Sequence, residues 1–284
     1  MSLLRLFYIG GYKMRKWYFP YGKDIEKESV NNARIETFRD NILESLAREI
    51  CQNSLDAFSD LNKPVKVSFN QKLVGIKEIS DRESFKKHII PRARKTWKND
   101  KNAQEFLDFY ANILKQKNIK ILKISDYNTT GLMEENWESL IENAGISVKA
   151  DTSSAGSFGI GKAAPFASSD LRMVFYNTKL KDGEEKSIGV TKFISYDRPD
   201  GMTAQGVGYL GEDAKRPMRK QISFGFEGRT ECGTDVFVVG FNQDNHWKNV
   251  MVGSVLENFL ISIHNEKLVV DVEGTNKLKI IIQY

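Results

Sequence analysis

Four strand-like runs crowd into the second half of this 284-residue chain, at 171–178, 187–196, 221–226 and 234–241. The connections within the first pair and within the last pair are too short for the crossover that joins parallel neighbours. The chain therefore predicts an antiparallel or mixed sheet. Upstream, Phe38, Ile42, Leu46, Ile50 and Ala57 recur at amphipathic spacing, predicting a helix over 37–61 that Asn62, Lys63 and Pro64 close. A strand follows at 65–69, residues 80–118 read as a helical insertion, and 119–125 form a short apolar strand running directly into Asp126. A helix near 248–263 and strand-like pieces at 267–272 and 278–283 end the chain. The expected fold is a two-layer α/β sandwich, a mixed and mainly antiparallel sheet with helices on one face.

Residues 1–28 mix aromatics (Phe7, Tyr8, Trp17, Tyr18, Phe19, Tyr21) with basic residues and glycines without a sustained period, and are expected to form an arm that packs on something. The finish on Leu-Lys-Ile-Ile-Ile-Gln-Tyr predicts that a longer protein continues beyond 284.

With 40% hydrophobic and 28% charged residues the chain can bury a core, which excludes disordered and fibrous classes. No apolar run reaches the ~18–20 residues needed to cross a bilayer, and the N-terminus lacks a cleavable hydrophobic leader. A soluble, cytoplasmic protein is expected. Cys51 and Cys232 are the only cysteines, and neither has a Cys or His at metal-ligand spacing, so neither a disulfide scaffold nor a zinc site is expected. The formal charge of +5 is too mild to indicate nucleic acid by itself.

Three segments carry chemistry. On the predicted helix, Glu49, Asn53 and Asp56 stand at i, i+4 and i+7 and project from one face, with Ala57 following. A carboxylate one turn from an amide suits a base that orients water beside a magnesium ligand, although a solvated helix face has the same pattern. The second segment, Asp126-Tyr127-Asn128-Thr129-Thr130-Gly131, follows an apolar strand. There a carboxylate can accept from an exocyclic amine, and Gly131 permits a tight turn and close approach of a ligand. Ordinary turn chemistry is the plainer account of it alone. The third segment, Gly156-Ser157-Phe158-Gly159-Ile160-Gly161-Lys162, exposes backbone amides ahead of a predicted helix and so suits phosphate oxygens. Its match to G-x-x-x-x-G-K is not a P-loop, because Ala163 offers no hydroxyl to magnesium and 149–152 is not a buried strand.

In this order the segments resemble the GHKL ATPases, the family of gyrase B, MutL, MORC, the histidine kinases and the ninety-kilodalton heat-shock chaperones. Glu49, Asn53, Asp56 and Ala57 match its helix motif, Gly156, Gly159 and Gly161 its glycine loop, and Gly233-Thr234 ahead of Asp235-Val236-Phe237-Val238-Val239 its Gly-Thr strand. The resemblance spans roughly residues 30–241. It implies a Bergerat-type ATP-binding domain over 29–245, after the 1–28 arm and before a helix and the start of a following domain at 246–284. It also implies ATP and Mg2+ as ligands and slow hydrolysis, within a larger DNA-acting or remodelling protein. Glu49 would activate the attacking water, Asn53 would hold magnesium, and Asp56 would line the nucleotide site. Asp126 would accept from the adenine amine, Thr234 would support that contact through its hydroxyl, and residues 156–162 would wrap the phosphates. ATP commonly closes a homodimer in this family, with 1–28 as the candidate arm. Asn128 departs from the pattern in place of the first glycine of the second motif, and Lys162 stands where many members carry a small or apolar residue.

Two further readings use the same residues. A non-hydrolysing, ATP-gated dimerisation or binding module would not need Glu49. A histidine kinase would place its phosphoacceptor before the asparagine helix, whereas His88 comes after it. The insertion carries Lys86, Lys87, Arg92, Arg94, Lys95, Lys98 and Lys101, with Trp97 among them. A solvated face is the favoured account of this charge run and a nucleic-acid contact the lesser one.

Overall fold

The computed structural model of the chain describes residues 15–30, 41–138, 163–244 and 246–273. In chain order the elements are β1 (Tyr21–Gly22), α1 (Ile42–Asp56), β2 (Val65–Gly75), α2 (Arg82–Ser84), α3 (Ile90–Thr96), α4 (Lys101–Lys115), β3 (Asn118–Tyr127) and α5 (Ala164–Ala167). They continue with β4 (Met173–Lys179), β5 (Glu185–Lys192), β6 (Tyr196–Asp197), β7 (Thr203–Ala204), β8 (Val207–Leu210), β9 (Gly233–Val239), α6 (Trp247–His264) and β10 (Leu268–Val272). Seven strands form one sheet in the order β10-β2-β3-β9-β4-β5-β8, antiparallel throughout except for the parallel pair β10 and β2. The mixed, mainly antiparallel sheet is as the sequence predicts. A small sheet, β1-β7-β6, lies beside it.

Period-2 alternation sorts the strand residues onto two faces. Leu122, Ile124, Val174, Tyr176, Val236 and Val238 point into a core with Leu46, Ala47 and Cys51 of α1 and Met251, Val255 and Phe259 of α6. Their sequence neighbours Ile121, Met173, Phe175, Phe237 and Val239 point into a second core with Phe85, Ile89, Leu107 and Tyr110 of the insertion. Helices therefore cover both faces, which corrects the expected single helical layer. The insertion has its own apolar stripe and must bury it, and the otherwise bare face of the sheet is where it does so.

Element ends depart from the sequence reading for local reasons. Helix α1 ends at Asp56 and does not reach Leu61, because the following backbone is recruited by the loop after β3. Phe58 bridges Thr129, the Ser59 N–H donates to the Asn128 carbonyl at 2.9 Å, and the Thr130 N–H donates to the Ala57 carbonyl at 2.8 Å. Strand β2 continues past Phe69 to Gly75, since β3 remains alongside to pair with its polar end. Residues 221–226, expected as a strand, are irregular. Asn177 Nδ2 donates to the Ile222 carbonyl at 2.7 Å and Asn177 Oδ1 accepts from the Ile222 N–H at 3.0 Å. A side chain thus replaces a ladder partner, and Phe224, at φ 48°, turns its ring onto Phe175 and Phe237.

The helix α6 and the strand β10 pack into this core. Trp247, Met251, Val255, Phe259 and Ile263 pack with α1, and β10 extends the main sheet beside β2. The described part of the arm likewise folds onto its own chain. Trp17 and Phe19 are buried against Phe85, and Tyr18 bridges Tyr209 of β8. Among the described residues no helix is long and apolar enough to cross a membrane. The expected strand at 278–283 lies outside the described residues.

Candidate functional site

Asp126 and Thr234 continue the alternation of Ile124 and Val236, so both side chains emerge on the face covered by α1, just beyond the end of the packed core. Along α1, Glu49, Asn53 and Asp56 turn toward the same space. The result is a pocket of about 450 Å3 lined by Glu49, Asn53, Asp56, Asp126, Gly131 and Thr234. Its apolar lining comes from Ile50, Ile124, Leu132, Met133, Tyr176 and Val236 among others. That size falls within the roughly 300–1,000 Å3 usual for small-molecule sites. Six predicted site residues, separated widely in sequence, therefore share one wall. The seven from Gly156 to Lys162, namely Gly156, Ser157, Phe158, Gly159, Ile160, Gly161 and Lys162, lie outside the described residues. Pro165, soon after them, is a further wall residue.

The strand end of the pocket is tightly held. Asp126 Oδ1 accepts from the Thr234 N–H at 2.7 Å and from the Thr129 hydroxyl at 2.6 Å. Thr234 thus contacts Asp126 through its backbone amide, where the sequence reading assigned the hydroxyl to this end of the site. Burial pushes the Asp126 carboxyl above the ordinary carboxylate range; the Arg229 guanidinium and the two hydrogen bonds oppose that rise, and Asp235 adds to it.

Two glycines make this geometry accessible. Gly131 has φ +72°, and a Cβ there would lie 2.7 Å from the Thr178 hydroxyl oxygen. That hydroxyl is occupied, accepting from the Leu132 N–H at 2.8 Å and donating to the Gly233 carbonyl at 3.2 Å. At Gly233, φ +139°, a Cβ would lie 2.6 Å from Asp126 Oδ1. Asn128, the departure from the glycine pattern, adopts φ 58°, the left-handed conformation that Asn tolerates best after Gly. Its side chain also takes the Asp60 N–H at 3.1 Å and donates to the Lys63 carbonyl at 2.8 Å, tying this loop to the exit of α1. The Asn therefore supplies the backbone shape that a glycine would and adds a tether.

The helix end is more open. Glu49 is partly buried, and burial raises its carboxyl above the usual range against the lowering influence of Arg48, whose Nη2 lies 4.0 Å from Glu49 Oε1. Asn53 and Asp56 are exposed, and Gln52 Nε2 donates to Asp56 Oδ1 at 2.8 Å. Among the described residues no three His, Cys, Asp or Glu side chains converge as a metal site. A cation here would need oxygens from a ligand as well as Asn53, which suits magnesium, an ion commonly bound by few protein groups together with phosphates.

The sequence reading missed Arg229. It is buried beneath the strand end, with Nε and Nη2 at 3.1 and 2.6 Å from Asp235 Oδ1 and Nη2 at 2.6 Å from the Thr234 carbonyl. Only its position shortly before Gly233 could have drawn attention to it. In the insertion, Glu83 pairs with Lys86 and Lys87, Asp108 with Arg94, and Glu105 with Lys101. Local acids thus neutralise much of the basic run, in keeping with a solvated face. Comparisons with protein-family models and with curated proteins gave no match for the chain.

Proposed function

We propose that the chain is a nucleotide-binding module of the GHKL type that binds ATP with magnesium and hydrolyses it slowly. The observation that carries this reading is the convergence of Asp126 and Thr234 from two adjacent strands with Glu49, Asn53 and Asp56 from α1 around one pocket that also has apolar walls. Asp126 would accept a hydrogen bond from the adenine amine, where guanine presents a carbonyl oxygen. The apolar side chains of the lining would take the face of the base. Magnesium, when bound, would neutralise phosphate charge, with Asn53 as its protein ligand. Glu49 would take a proton from the attacking water. Its raised carboxyl suits that task, because a general base works best when its pKa approaches the working pH.

Calorimetry of the wild-type chain with ATP, ADP and GTP in the presence of magnesium tests the reading. Adenine nucleotides should bind and GTP should bind much more weakly. Equal affinity for GTP would refute the adenine assignment. The non-hydrolysing module differs only in turnover, and the partly buried carboxylate of Glu49 in the pocket wall favours the enzyme. An ATP-driven homodimer through the 1–28 arm would use residues other than Trp17 and Phe19, which are already buried on their own chain.

A further inference from the structure

Behind the strand end of the pocket lies a buried charge cluster that the proposed chemistry does not use directly. Arg229 and Asp235 are almost wholly buried, and Lys123 Nζ approaches Asp235 Oδ2 at 3.3 Å from the other side. Lys123 also donates to the Glu227 carbonyl at 2.9 Å. Arg229 spends its remaining donors on backbone: besides the Thr234 carbonyl, Nη1 reaches the Glu231 and Cys232 carbonyls at 3.4 Å each. Gln221 clamps the Arg229 backbone, accepting from its N–H at 2.6 Å and donating to its carbonyl at 2.8 Å. The guanidinium also stacks over Tyr127 at 4.9 Å. Most telling is Gly233. The point where its Cβ would stand is 2.6 Å from Arg229 Nη1 and 2.6 Å from Asp126 Oδ1, so guanidinium and carboxylate face each other across the glycine.

Resting on the nucleotide reading above, we propose that Arg229 is a positioning residue of the pocket: it braces the turn that presents the Thr234 amide and supplies the counter-charge to Asp126 from behind Gly233. Two cations, Lys123 and Arg229, then stand against two carboxylates, Asp235 and Asp126, and the cluster is neutral only with Asp126 ionised. An ionised carboxylate is the form that accepts from an amine on both oxygens. Arg229 opposes the rise that burial imposes on Asp126. The other titratable groups facing Asp126 are Asp235 from the sheet, the Cys232 thiol from the turn, and Glu49 and Asp56 across the pocket.

The test uses the full chain as wild type, Arg229→Lys, Arg229→Gln, and the double variant Arg229→Gln with Asp235→Asn, which removes one charge of each sign so that the cluster stays balanced. Circular dichroism establishes which variants fold. Carbon-13 NMR of the Asp126 carboxyl, assigned by its loss in Asp126→Asn, gives the titration midpoint without nucleotide. Calorimetry from pH 6 to 8 gives ATP affinity. In the folded Arg229→Gln variant the midpoint should rise by about one pH unit, as for a carboxylate losing a nearby opposite charge, and in the double variant by less, because the influence of Asp235 that raises it is removed as well. ATP affinity should fall more at pH 6 than at pH 8, by no more than the roughly tenfold that a one-unit rise can produce, a pH profile that a merely structural lesion would not produce. Arg229→Lys should keep the midpoint near wild type. An unmoved midpoint in a folded glutamine variant overturns the proposal, whether or not the wild type binds ATP. A moved midpoint with no ATP binding by the wild type overturns the nucleotide reading alone.

Discussion

At the strand end of the pocket Asp126 is fixed by Thr129 and Thr234, and the turn around it depends on backbone angles that only glycine adopts freely. At the helix end Asn53 and Asp56 stand exposed on α1, and Glu49 has a single cation 4.0 Å away. One end is preorganised and the other is left for a ligand to order. Rigid groups recognise at low entropic cost, so on the proposed reading the strand end would choose the base. On the same reading the exposed polar groups of the helix end would follow phosphates and a metal through the proposed reaction.

The largest expected effect breaks the helix end while sparing the strand end. Glu49→Ala should keep ATP affinity within a few-fold yet lower turnover by about 10²–10⁴, the usual contribution of a general base. Steady-state hydrolysis beside calorimetry checks it, and equal turnover in the two proteins would remove Glu49 from the mechanism. Because burial raises the Glu49 carboxyl, the active ionised form is lost as pH falls. The acidic limb of the wild-type rate profile should accordingly lie above the ordinary carboxylate value.

The next effect breaks the strand end. Asp126→Asn should weaken ATP binding by ~1–3 kcal/mol, since it exchanges a charge-assisted acceptor for an amide whose donors face the adenine amine. Unchanged affinity would take Asp126 out of the site. Asn53→Ala should then cost about tenfold in magnesium-dependent ATP affinity, equivalent to ~1.4 kcal/mol. Measured without magnesium, the two proteins should bind alike, and a loss of the same size without the metal would assign Asn53 to the nucleotide directly.

The smallest effect sharpens the contrast without touching a ligand group. Gly131→Ala should destabilise the fold by ~1–2 kcal/mol in urea unfolding, through its left-handed φ and its clash with the Thr178 hydroxyl. Alanine at the exposed Gln52 of α1 should change stability by less than ~0.5 kcal/mol. Comparable losses at the two positions would erase the difference between the ends.

The sequence was most legible where one local rule decides. Apolar spacing foretold α1 and α6, and short apolar runs foretold β3, β4 and β9 close to their observed bounds. Glu49, Asn53 and Asp56 were readable because helical geometry alone puts them on one side. Strand β8 was not, since Gly206, Gly208 and Gly211 suppress every strand signal. Gly208 is needed there because a Cβ would stand 2.6 Å from the Phe19 ring. The irregular run at 221–226 read as a strand because its aromatics alternate, yet their burial is set by Phe175 and Phe237 on distant strands. Arg229 was invisible for the same reason. A buried cation looks like any surface arginine until the fold supplies Asp235 and Tyr127 around it.

The pairing of β10 with β2, and of α6 with α1, has a consequence for how the protein is made. The helix that carries Glu49 leaves the ribosome well before the apolar residues that cover it, Met251, Val255 and Phe259. Such distant partners must meet before α1 is secure, which makes assembly slow and leaves an early hydrophobic stripe waiting. A chain ending at His246 should accordingly keep the insertion's helices protected in hydrogen exchange while α1 exchanges freely. On the proposed nucleotide reading, binding would then become available only to a chain whose synthesis has passed β10, so that a partial product could not engage ATP.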